Sequence, residues 1–84
     1  MLIYFSRTVD ILLRTEAIDC LKEICDTSDL MLDTTHISLH LFANNTRLII
    51  HSYLDDMQKQ ILRHIVAERK LRIVECPDSV WVIY

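Results

Sequence analysis

From position 36 to 42 and again from 47 to 53, apolar and polar residues alternate with a period of two: His36-Ile37-Ser38-Leu39-His40-Leu41-Phe42 and Arg47-Leu48-Ile49-Ile50-His51-Ser52-Tyr53. This is the pattern of strands with one buried face, and two such runs around a short polar stretch predict a β-hairpin. Asn44-Asn45 lies in the gap, and the chain has no glycine. Asparagine is then the good remaining source of the positive φ angles that a tight turn needs. With this dipeptide at the tip, Leu41 faces Leu48, Leu39 faces Ile50 and Ile37 faces Ser52 on a core side. On the other side Phe42, His40, Ser38 and His36 face Arg47, Ile49, His51 and Tyr53, a half-polar set expected to meet water.

After Leu54 the spacing changes. Met57, Ile61, Leu62, Ile65 and Val66 recur at steps of three, four and one, and Asp55 or Asp56 offers an N-cap. These features predict a helix over about 56–70. Upstream, Ala17, Cys20, Leu21, Ile24 and Cys25 make another apolar stripe, with Glu16, Asp19, Lys22 and Glu23 opposite. A first helix with an acidic outer face is expected there. It starts at Thr15 or near Thr8, and Val9 and Leu13, which extend the stripe backwards, slightly favour the longer version. Met1 to Phe5 is apolar and too short for a helix, and reads as a buried strand, extended to Leu13 if the helix starts late. Residues 26–35, rich in Asp and Thr, connect the first helix to the hairpin. Arg72 to Cys76 and Val80 to Tyr84 are strand-like and flank a Pro77-Asp78-Ser79 turn. The order β-α-β-β-α-β-β predicts an α+β fold, with two helices packed on one face of a mainly antiparallel sheet and residues 1–84 as a single domain.

Length and composition narrow the function classes. With 84 residues, 51% hydrophobic and 25% charged, the chain has material for one core. A domain near this size buries only about 60% of the surface its unfolded chain exposes, so a homodimer would help it. Val80-Trp81-Val82-Ile83-Tyr84, with bulky groups on both sides of a terminal strand and no lysine or proline to blunt it, is the segment expected to self-associate. Twelve acidic against nine basic residues give a net charge of −3, which favours a protein partner over a phosphate backbone. No apolar stretch approaches the ~20 residues of a membrane span, and the first residues lack the pattern of a signal peptide. Three cysteines at spacings that match no metal or redox motif suit a reducing compartment. A cytoplasmic protein without membrane contact is expected.

Four histidines and three cysteines invite a metal reading, with His36, His40 and His51 on one hairpin face. Recognised zinc sites use closely spaced Cys and His pairs, and none occurs. There is no glycine-rich phosphate loop and no nucleophile in a recognisable elbow. The expectation is a non-enzyme without metal or cofactor. Cys20 and Cys25 lie on the apolar stripe of the first helix and read as core. Lys59, Arg63 and Lys70 fall in a narrow sector of the second helix, with Arg69 and Arg72 just beyond. A solvated helix face is the preferred reading of this stripe. Combined with Phe42, Arg47 and Tyr53 of the hairpin it supports an alternative, a small RNA-binding domain that uses the sheet face and the basic helix; a homodimeric structural module, in contact through the C-terminal strands or the sheet face, is the other.

Ala17-Ile18-Asp19-Cys20-Leu21 on the first helix, His36-Ile37-Ser38-Leu39 opening the hairpin, Ala43-Asn44-Asn45 at its tip and Asp56-Met57-Gln58-Lys59-Gln60-Ile61 at the second helix together resemble the DinI-like proteins, small proteins of bacteria and phages. The resemblance covers about residues 1–66. It implies a strand, a helix, a hairpin and a second helix, and a role in modulating RecA filaments, and thereby the SOS response to DNA damage, by protein binding. Related phage proteins act as antirepressors. In the family the second helix is strongly acidic and contributes to RecA binding, whereas here the matching positions include Lys59, Arg63, His64, Arg69 and Lys70. Acidic residues collect instead at Glu16, Asp19, Glu23, Asp26, Asp29 and Asp33. Glu16, Asp19 and Glu23 are therefore the expected partner-binding residues, and the strands after residue 70 lie outside the family pattern.

Overall fold

A computed structural model of the chain describes residues 1–6, 11–43 and 45–84. The elements run β1 (Leu2–Phe5), α1 (Thr15–Cys25), β2 (Ile37–Leu41), β3 (Thr46–His51), α2 (Asp56–Glu68), β4 (Ile73–Cys76) and β5 (Val80–Ile83), with 3₁₀ turns at Ile11–Arg14, Ser28–Leu30 and Thr34–His36. One five-stranded sheet has the order β1-β2-β3-β5-β4. β1 pairs parallel with β2, which requires a crossover between them, and α1 lies in that connection. The other three pairings are antiparallel. The fold is α+β, as the alternation and helical stripes predict.

Ile37, Leu39 and Leu41 of β2, Leu48 and Ile50 of β3, and Trp81 and Ile83 of β5 form one buried cluster with Ile18, Leu21, Ile24 and Cys25 of α1 and Leu62 and Val66 of α2. Period-two alternation places those strand residues on a single sheet face, so both helices cover the same side. Leu30 and Leu54, from the connections, complete the cluster.

The hairpin differs from its predicted register. Leu39 pairs with Leu48 and Ile37 with Ile50, and the Phe42 N–H donates to the Asn45 carbonyl at 2.8 Å. The closing pair is thus Phe42 with Asn45, not Ala43 with Thr46, and the predicted tip residue Asn44 lies outside the described residues. Because the slip is two residues, every side chain keeps its face. Arg14 sets the hairpin end from a distance. It donates from Nη1 to Thr46 Oγ1 at 3.0 Å, and from Nη2 to the carbonyls of Phe42 at 2.9 Å and Ala43 at 2.6 Å.

α1 begins at Thr15, the later of the two expected starts, and Ile11–Arg14 ahead of it forms a 3₁₀ turn. The earlier start near Thr8 falls outside the described residues. Asp55 opens α2 through a reciprocal cap: its side chain accepts from the Gln58 N–H at 2.7 Å, while Gln58 Oε1 accepts from the Asp55 N–H at 3.0 Å. Gln58 also donates from Nε2 to the Leu30 carbonyl at 2.7 Å, tying α2 to the loop after α1. α2 ends at Glu68, before the expected limit. The Leu71 N–H returns to Val66 O and the Lys70 N–H to Ala67 O, with Lys70 at φ 57°. These bonds are the pair of a Schellman turn, and Leu71 packs on the core behind it. Without glycine, the left-handed positions fall to Met31, Lys70, Asp78 and Ser79 rather than to asparagine among the described residues.

Two terminal strands exchange their expected roles. β5 lies between β3 and β4, and Trp81 is only 2% exposed. The C-terminal strand is therefore no free edge for self-association. β1, expected to be buried, is the open edge beside β2, with Leu2 62% and Phe5 59% exposed. The buried helix residues pack over β2, β3 and β5 and leave β1 outside that cluster.

Candidate functional site

Four surfaces carry the expected and observed chemistry. On α1, Glu16, Asp19 and Glu23 are all exposed and line one shallow depression with Leu13, Thr15 and Cys20. Arg69, at the end of α2, enters this acidic side: its Nη1 lies 2.8 Å from Glu23 Oε2 and donates to Cys20 Sγ at 3.6 Å. Glu23 is thereby engaged within the fold. Glu16 and Asp19 make no ion pair among the described residues.

The basic stripe of α2 is divided by the fold. Lys59 and Arg63 each lie 3.8 Å from a carboxylate oxygen of Glu75 on β4. Their charged ends sit 5.5 and 5.7 Å from the Trp81 ring centroid, so they screen the core face of β5. Lys70 is in the Schellman turn, off the helix. Trp81 belongs to the helix-covered face of the sheet, whereas Phe42 and Arg47 belong to the opposite face. Lys59 and Arg63 thus lie on the layer opposite Phe42 and Arg47.

The open sheet face carries a row of rings. Tyr4 stacks on His40 with centroids 4.8 Å apart, and Phe42 follows His40 at 6.2 Å in a nearly parallel plane. The Arg47 guanidinium lies 5.4 Å from the Phe42 centroid and 5.5 Å from that of Tyr84. Tyr84 is held by its backbone, exchanging hydrogen bonds with Arg72 at 2.7 and 3.0 Å. Single-residue patterns identified Phe42 and Arg47 but missed the row, because Tyr4, His40, Arg47 and Tyr84 come from four separate segments. The exposed apolar edge at β1 is the fourth surface.

His40 gives the open face a pH response. Its Nε2 lies 2.9 Å from Ser38 Oγ, and Tyr4, Phe42, Arg47 and His51 are the other groups around it. Burial, and then the charge of His51, hold its pKa below the ordinary 6.5. Protonation is easier in the unfolded chain, which binds more protons between the folded and unfolded values. The contribution of His40 to stability is therefore full above about pH 6.5 and is lost as pH falls through the lower folded value. The expected urea midpoint declines below that pH in the native sequence, and His40→Gln flattens this part of the profile. An unchanged profile in the variant would remove the assignment.

Burial, aided by neighbouring Asp26, pushes the Cys25 thiol up to about 11, which leaves it a poor nucleophile within the core. Cys20 and Cys76 are half-buried, and all three thiols are free. Among the described residues no group of three or more His, Cys, Asp or Glu side chains is placed to hold a metal ion. No helix among them is long and apolar enough to cross a membrane. No protein-family model matches the chain, and no curated protein or solved structure matches it.

Proposed function

We propose that the domain is a non-enzymatic regulator that works by binding another protein in the cytoplasm. The observation that carries this reading is β1. Met1 to Phe5 are five consecutive apolar residues, all exposed, on an open sheet edge without a charged side chain or proline. Native proteins ordinarily blunt such an edge, and an extended segment of a partner can add to it as a further strand. The opposite edge strand, β4, carries Glu75 and is followed by Pro77. The three free thiols suit a reducing compartment. In the absence of the partner, β1 of a second copy is the natural substitute, which moves the expected homodimer contact from β5 to β1.

The particular partner is the RecA filament, on the DinI-like resemblance, with modulation of the SOS response as the consequence. The exposed acidic side of α1 supplies the electrostatic part of this contact through Glu16 and Asp19, with Glu23 shared with Arg69. Binding of the labelled domain to RecA filaments, followed by fluorescence anisotropy at low salt, tests both parts. Charge reversal at Glu16, Asp19 and Glu23 is expected to weaken binding more than reversal at Lys59, Arg63 and Lys70. Ile3→Lys, at an exposed edge position, is expected to cost about tenfold or more in affinity, equivalent to ~1.4 kcal/mol, with the helical signal unchanged. Unaltered binding by Ile3→Lys would eliminate the edge as the docking site. Failure of the native domain to bind would eliminate RecA.

A further inference from the structure

The open sheet face has a cation without an anion. Arg47 is held between the rings of Phe42 and Tyr84, yet among the described residues its guanidinium makes no hydrogen bond or ion pair, and its buried Nε has no acceptor. A guanidinium offers five donors in a rigid fork, and leaving a buried one unused is unfavourable. Asn45 Oδ1 is also buried without a partner, and it lines one depression with Arg47, Phe42 and Ala43. The chain as a whole is acidic, but its strands are nearly free of acidic side chains. Glu75 is the one acid in the five strands, and its pairing with Trp81 puts it on the helix side. Opposite it, the strands present Arg47, His40 and His51, with Arg72 paired to Tyr84 at the far end.

We infer that this face binds single-stranded nucleic acid, with the Arg47 fork on a backbone phosphate and unpaired bases against the exposed surfaces of Tyr4, Phe42 and Tyr84. Rings alternating with cations select this occupant. An acidic peptide has charge to offer Arg47 but no flat π surface for the rings, and a duplex conceals its base faces in its own stack. The inference is independent of the protein-binding edge and does not use α2. Arg47 and Arg72 neutralising two phosphates would give a salt slope of about −1.4, or roughly sevenfold weaker binding between 50 and 200 mM salt.

Anisotropy of fluorescein-labelled oligouridylate and oligothymidylate mixed with the full chain tests the site. Arg47→Gln is expected to lose about tenfold or more in affinity. Phe42→Leu, which keeps an apolar contact but removes the ring, is expected to lose about fivefold or more. The Lys59→Glu, Arg63→Glu double variant, altered on the other layer, is expected to bind like the native chain. If Arg47→Gln does not fold, Phe42→Leu and the salt slope decide. Absence of binding at 50 mM salt would overturn the inference. So would undiminished binding by folded Arg47→Gln or by Phe42→Leu, or displacement of the oligonucleotide by polyglutamate at equal charge concentration.

Discussion

Leu39→Lys is expected to leave the domain unfolded at 25 °C, whereas His40→Lys, one residue along the same strand, is expected to fold. Leu39 is fully buried at the centre of β2, beneath both helices. A lysine there must bring its ammonium out of water with no partner within reach, or break the packing to recover water. Either route costs several kcal/mol, against a total stability of only about 5 kcal/mol for a domain of this size. His40 points to the open face. Its replacement removes the stack on Tyr4, a loss of about 1 kcal/mol that lowers the melting temperature by roughly 4–8 °C. Far-ultraviolet circular dichroism with thermal melts distinguishes the two. Equal tolerance at the two positions would mean that β2 does not present Leu39 to the core.

Trp81→Ala carries the second largest expected effect. Trp81 occupies the middle of the sheet, paired with Ile50 on one side and Glu75 on the other. Removing a buried indole costs about 3–5 kcal/mol, most of what the fold has. Lys59 and Arg63 would also lose the ring they cover, and Glu75 alone would remain for both. The expected result is a chain largely unfolded at 37 °C. In the native protein the same residue is its own reporter, as the only tryptophan. Its emission should lie at the short wavelength of a buried indole, resist acrylamide quenching, and shift red as urea unfolds the sheet. Quenching in the native state as efficient as in urea would contradict an interior β5.

The particular residues show which parts of this structure were legible beforehand. The alternation of residues 37–41 and 46–51 identified the core face of the hairpin, but a two-residue slip leaves that alternation intact. Leu39 opposite Leu48 and Leu39 opposite Ile50 are therefore indistinguishable from pattern alone. The choice between them belongs to the end of the hairpin, where Arg14 reaches from another element to bind Phe42 and Ala43. For α2, the sequence offers Asp55 or Asp56 as the N-cap, and only the reciprocal bonds between Asp55 and Gln58 decide for Asp55. Its end was harder to read, because the Schellman turn places Lys70 in the left-handed region where a glycine would ordinarily mark the stop.

The candidate sites divide in the same way. Glu16, Asp19 and Glu23 share a helix face by periodicity, and the structure keeps them together. Lys59 and Arg63 also share a face, but nothing in their spacing says that Glu75 and Trp81 of two later strands meet them. The row of Tyr4, His40, Arg47 and Tyr84 needs the strand order before it exists at all. By itself the sequence determined the elements, the α+β class and which side of each element is apolar, because these follow from periodicity and from caps only a few residues long. Tertiary structure alone decided that the apolar β1 is an outer edge, that β5 is interior, and that the α2 cations and the ring row face opposite ways. Neighbours in a sheet are set by the competition of all elements for one limited core, and that competition has no local signature in the chain.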